Sequence, residues 1–337
     1  MRRIVFFIIM FTILSGSCRN KNYRVNINDI ELDLSITRLE NILFGNDPAW
    51  VYERLDSLSN AHPGILTYLS YLINIGNIGD PGWSEGLMNF ITSRQNVEVY
   101  RSTAEIYEDI RGIEEEMEVA WKHYRYYFPD ADIPEIYTCI SGFNSSYIIG
   151  NEVIGISLDR YLGRDSEYYP MLGIYNYQTL WMIREKIVSD CMYAWASSTW
   201  INEDNEDKST DVMNAMIHEG RLLYFTKCML PDEEDTLLFR FTEMQMQFVL
   251  NNEQQIWEYL VEHDMLFSTD PLLLKKLTGD APFTSYFTSE SPGRAANWIG
   301  YRIVESFMRR NPDVSLSDLM KEDKLPSILE RSKYSPG

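Results

Sequence analysis

The spacing of apolar residues changes character along the chain. From Ile4 to Leu14 it is a nearly unbroken apolar run behind Met1-Arg2-Arg3, ending in Ser15-Gly16-Ser17-Cys18. A cationic start, a core too short to cross ~30 Å of hydrocarbon and small residues before a cut site mark residues 1–17 as a signal peptide. Residues 18–29 are short and polar, as a leash would be. Apolar positions then recur at three and four: Trp50, Leu55 and Leu58, followed by Ile65, Leu69, Leu72 and Ile73. That period predicts about five helices between Leu39 and Phe128, with Pro48, Pro63 and Pro81 at helix starts.

Between Ile133 and Leu158 the pattern shortens into β-rich runs, Ile136–Ile140, Tyr147–Ile149 and Val153–Ser157, separated by Gly142, Asn144 and Gly150-Asn151. The Gly-Asn pair is a hairpin signal, so a small antiparallel sheet is expected. Helical spacing returns over Gln178–Thr199, Asp211–Met229, Glu233–Leu250 and Glu253–His263, with an acidic loop, Asn202–Lys208, between the first two. Asp270 with Pro271 behind it opens another helix, and Ser291-Pro292 a last long one ending at Arg309-Arg310. The whole reads as an α+β, mainly helical chain, with residues 30–337 forming one domain. Its helical part covers roughly 30–130, and the sheet and later helices roughly 131–337.

Composition narrows the function classes. With 45% apolar and 13% aromatic residues a packed core is expected, while a formal charge of −20 and the absence of a Lys/Arg cluster exclude a nucleic-acid partner. An acidic body is also repelled by anionic headgroups, so membrane association needs a tether. Cys18, directly after three small residues, resembles the lipidated cysteine of a bacterial lipobox. Lipid on Cys18 would hold the domain at the envelope. The leash has no acidic run, which favours the periplasmic face over the cell surface. Cys139, Cys191 and Cys228 are an odd set, compatible with one bridge and a free thiol or with three reduced thiols.

One segment carries candidate chemistry. Ile217-His218-Glu219-Gly220-Arg221-Leu222 lies inside a predicted helix, and a zinc peptidase would place a second histidine four residues after His218. Leu222 occupies that place and has no lone pair, so no metal ligand set is assigned and no cofactor is expected. A zinc site would need replacement ligands such as Glu243, Glu305 or Asn214. His62, His123 and His263 lie without ligand spacing. A glycine-rich phosphate loop and a Cys-x-x-Cys pair are both missing from the sequence. Near the last long helix, Arg294, Asn297, Tyr301 and Arg302 stand at an entrance whose N–H groups can receive an anion. The structural alternative is that Ser291 caps this helix, Gly293 and Gly300 allow close packing, and Trp298 fills the core.

The lipobox-like start, Met216-Ile-His-Glu219, the stretch from Trp257-Glu-Tyr-Leu260 to Phe267-Ser-Thr-Asp270, and Ser289-Glu-Ser-Pro-Gly-Arg294 through Trp298-Ile-Gly-Tyr301-Arg-Ile-Val304 together resemble the gliding-motility lipoprotein GldB family of Bacteroidota. The resemblance implies an envelope lipoprotein associated with motility or secretion machinery. It also implies a distant similarity to zincin-like peptidases with a degenerate metal site, with which Leu222 agrees. The expected function is therefore non-enzymatic: a partner-binding or scaffolding lipoprotein on a pseudo-zincin fold, with His218, Glu219, Arg294, Asn297 and Tyr301 around one groove. A metallopeptidase with a non-standard ligand set and an anion- or glycan-binding lipoprotein are the alternatives.

Overall fold

A computed structural model describes residues 23–200 and 211–336. Cys18, the signal segment and the acidic loop Asn202–Lys208 lie outside the described residues. The fold is mainly helical around one four-stranded sheet, β1 (Ile36–Arg38), β2 (Glu135–Cys139), β3 (Tyr147–Ile149) and β4 (Val153–Ser157), in the order β1-β2-β4-β3.

The sheet is mixed, which corrects the antiparallel expectation. Only β3 and β4 form the antiparallel hairpin, closed where the Gly150 N–H donates to the Val153 carbonyl at 2.8 Å, while β1–β2 and β2–β4 pair in parallel. The reason is coverage on both faces. Tyr137, Cys139 and Val153 pack with the N-terminal helices, whereas Ile136, Ile154 and Ile156 pack with the C-terminal helices. A sheet buried on both sides reads as a continuous apolar run, and parallel pairing is the usual partner of that burial. Gly155 matters here because a β-carbon on it would sit 2.5 Å from the Ile65 side chain of the Pro63–Leu72 helix. That helix therefore lies directly on β4.

Seven helices, not five, precede β2 among the described residues, because the segments containing Pro48 and Pro63 break into short turns. The expected Gln178–Thr199 helix begins only at Ile187, after a turn and a 3₁₀ segment at Arg184–Lys186. Glu233–Leu250 divides into Asp235–Phe239 and Glu243–Asn251, since Arg240 between them takes a left-handed conformation with φ +54°. The expected Asp270 cap is in place, accepting from Leu272 N at 3.0 Å, and Asp211 caps its helix in the same way, accepting from Asn214 N at 2.7 Å. Two short helices, Leu316–Lys321 and Leu325–Ser332, finish the chain and pack on its last long helix and on Val212–Met229.

The expected leash is partly docked. Tyr23 is 3% exposed, its hydroxyl 2.9 Å from that of Tyr301 and donating to Glu305 at 3.0 Å. Cys139, Cys191 and Cys228 are free thiols, each buried, and burial pushes all three well above the ordinary thiol range. No helix among the described residues is long and apolar enough to cross a membrane.

Candidate functional site

The Val212–Met229 helix runs through the C-terminal core and is buried over nearly all its surface, which explains its lack of an amphipathic stripe. Its closest neighbour is Ala295–Arg310. The two meet at Gly220 and Gly300: a β-carbon on Gly220 would lie 2.6 Å from the Tyr301 nitrogen, and one on Gly300 would collide with the Met216 carbonyl. Glycine is required for this close backbone approach. The approach brings Glu219, one residue before Gly220, beside Asn297, three before Gly300.

Beside this crossing is a cavity of about 80 Å³, lined by apolar Leu223, Leu238, Phe239 and Phe241 together with Lys186, Asp190, Tyr193, Glu219, Arg240, Arg294 and Asn297. Lys186 and Asp190 sit one turn apart around the start of Ile187–Trp200 and pair at 3.1 Å; Arg240 reaches the other Asp190 oxygen at 2.7 Å. Burial would raise the Asp190 carboxyl, yet the Arg240 and Lys186 cations outweigh it and hold it below its ordinary value. Tyr193 donates to Glu219 at 2.7 Å, and Asn297 Nδ2 reaches the same oxygen at 3.4 Å. Burial lifts the Glu219 carboxyl above the ordinary range, and the Tyr193 hydrogen bond and Arg294 charge offset only part of that rise.

Both cavity arginines sit in left-handed backbone, Arg240 at φ +54° and Arg294 at φ +58°. Arg294 is the N-cap of Ala295–Arg310 and makes no side-chain cap bond. The expected Ser291 cap is therefore corrected. Ser291 Oγ instead donates to Thr288 O at 2.7 Å, and the first helical N–H, Ala295, donates to Thr284 Oγ1 at 3.2 Å. Gly293 and Trp298 take their expected packing roles, a β-carbon on Gly293 colliding with the Ala281 carbonyl and Trp298 being 1% exposed.

Of the five residues expected around one groove, three converge: Glu219, Arg294 and Asn297 line the cavity. His218 does not. Its Nδ1 lies 3.4 Å from the Arg221 guanidinium, which donates to the Leu319, Met320 and Glu322 carbonyls at 3.2, 3.4 and 2.8 Å. Burial and the Arg221 charge bring the His218 imidazole down to about 4. Tyr301 is likewise elsewhere, turned to Tyr23, and Arg302 binds Glu253 and Glu305. Leu222 is 2% exposed in the core. Among the described residues no group of three or more His, Cys, Asp or Glu side chains is placed to hold a metal ion.

Lys186, Asp190, Tyr193 and Arg240 were not expected at the site. The i,i+4 spacing of Lys186 and Asp190 was the available signal for one pair. Arg240 carried none, since it becomes a site residue only through the break between two helices.

Fold and site together define a mainly helical α+β protein with a part-enclosed, charge-lined cavity at a helix crossing. Its family is shown by sequence: the model of the gliding motility protein GldB matches residues 20–336, and the chain belongs to that family. The family points to a gliding-motility lipoprotein associated with the cell envelope. Comparison with curated proteins and with solved structures gives no match.

Proposed function

We propose that this protein is a lipid-anchored envelope component that acts by binding rather than by catalysis, in or beside the motility machinery. The observation that carries the reading is the separation of His218 from Glu219. Glu219 faces the charged cavity, while His218 is held against Arg221, whose cation opposes a second cation at the imidazole. Leu222 fills the core where a zincin would present its second histidine. On this reading the motif is a peptidase remnant, and Glu219, Arg294 and Asn297 serve recognition. Lipid on Cys18 would supply the tether, with the domain on the periplasmic face.

The test has two parts. Purified protein is expected to hold no stoichiometric zinc and to cleave no peptide library. Hydrolysis abolished by Glu219→Gln would sink the proposal. Crosslinking in intact envelopes is expected to capture motility or secretion components with wild-type protein and fewer with Arg294→Gly.

A further inference from the structure

Three cations and two carboxylates line the cavity, and their pairing is uneven. Lys186 and Arg240 share Asp190, at 3.1 and 2.7 Å. Arg294, with its side chain 25% exposed, has Asp280 as its nearest carboxylate at 3.8 Å, beyond hydrogen-bond reach, and Asp280 is itself 47% exposed and accepts from Gln178 at 3.0 Å. Among the described residues the Arg294 guanidinium donates no side-chain hydrogen bond. A part-buried guanidinium with no protein hydrogen-bond acceptor has its donors available to a ligand's oxygens. Here it stands in a chain whose net charge is −20, so general attraction of anions does not account for it.

The backbone adds an independent observation. Six non-glycine residues among those described have positive φ, and two of them are the two arginines of this one cavity. Arg240 takes this left-handed backbone as the C-cap of Asp235–Phe239 and Arg294 as the N-cap of Ala295–Arg310, so two helix ends set the two guanidinium groups at one cavity. Arg294 takes that geometry at the entrance of Ala295–Arg310, and the charges of Arg240 and Glu219, which line the same cavity, both act on it.

We propose that the cavity between Arg240 and Arg294 binds a single carboxylate group, either a small free monocarboxylate or the end of a longer chain entering from the open side. Lys186, Arg240 and Arg294 exceed Asp190 and Glu219 in the lining by one charge, which one negative charge neutralises, while half-exposed Asp280 stands outside the lining. A phosphate group, at −1.5 to −2, would overfill that balance beside Asp190 and Glu219. Arginine's planar fork matches a carboxylate's two oxygens. A volume of about 80 Å³ admits the group with little attached to it, against the apolar wall of Phe239 and Phe241. The inference rests on the binding role proposed above and names the ligand class at that site.

Calorimetric titration of the purified full chain with acetate, N-acetyl-alanine, N-acetyl-alanine amide and inorganic phosphate tests it. One-to-one binding of a carboxylate probe is expected, with at least tenfold weaker binding of the amide and of phosphate. Arg294→Gly should weaken carboxylate binding at least tenfold without lowering the melting temperature, because glycine accepts φ +58° freely. Asp280→Asn should leave binding equal or tighter. N-acetyl-alanine binding tenfold tighter than acetate supports a chain end, and equal affinities support a free carboxylate. Absence of binding, tighter binding of phosphate, or unaltered binding in Arg294→Gly overturns the assignment. These outcomes leave the non-catalytic role standing, whereas Glu219-dependent hydrolysis removes that role whatever the titrations show.

Discussion

Gly220 and Gly300 face each other where their helices cross, with no side chain between the two backbones. Half of the candidate site depends on that contact, because it fixes the distance between Glu219 on one helix and Arg294 and Asn297 at the entrance of the other.

Gly300→Ala therefore forces the helices apart against a backbone carbonyl, which cannot rotate away as a side chain would. A loss of about 3 kcal/mol, the upper end of ordinary overpacking, is expected in urea unfolding. A loss below about 1 kcal/mol would show that the crossing has slack and that the site does not depend on it.

Arg221 is 8% exposed and collects three carbonyls at the C-terminal end of the Leu316–Lys321 helix. Arg221→Met keeps the buried stem and removes the donors, so about 2 kcal/mol of stability should be lost. It also removes the neighbouring cation, and the His218 imidazole, followed by NMR titration, should rise from about 4 while remaining below the ordinary histidine value because burial persists. An unchanged His218 titration would mean that burial alone sets it.

Acid should expose His218 in a second way. Its folded value of about 4 lies below the unfolded value of 6.5, so the unfolded chain takes the proton more readily. The neutral imidazole contributes stability that is complete above pH 6.5 and lost as the pH falls toward 4. Glu219 has the opposite sign. With its folded value raised above 4.5, its contribution is complete below pH 4.5 and lost as the pH rises through that higher value. Melting temperatures of wild type should thus drop between pH 6.5 and 4 more steeply than those of His218→Gln, and parallel profiles would refute the assignment. Glu219→Gln should keep the His218-dependent drop.

Tyr23 would set how far the domain stands from the lipid proposed on Cys18. Four residues lie between it and Cys18, five Cα steps with a reach of at most about 18 Å even if fully extended. Cys18→Ser should move the protein from the membrane to the soluble fraction, as read by fractionation and immunoblot. Tyr23→Ala should leave it membrane-bound while lowering stability by about 3 kcal/mol, since Tyr23 packs edge-on against Tyr224 at 5.4 Å. Persistent membrane association of Cys18→Ser would argue against the lipid anchor.

Much of the architecture was legible locally. The β3–β4 hairpin follows from Gly150-Asn151, and the helix starts at Pro48, Pro63, Asp211 and Asp270 follow from residues that satisfy or lack free N–H groups. The parallel half of the sheet was not legible. β1 is a three-residue strand whose partner β2 lies about a hundred residues later, and no local pattern encodes such a pairing. At the site, Glu219, Arg294 and Asn297 were singled out in advance, but His218 and Tyr301 were placed with them only because they share the same helices.

By itself, then, the sequence determined the period of each segment, the caps, the acidic balance, the family, and Leu222 in place of a second histidine. These are local chemistry, decided within a few residues. Tertiary structure alone decided which neighbours each side chain meets. His218 and Glu219 are consecutive, yet a rotation of about 100° per residue sends one to Arg221 and the other to Tyr193. Arg240 and Arg294 become partners of one cavity only because a break between two helices and a tight turn, each costly on its own, are held in place by the core around them.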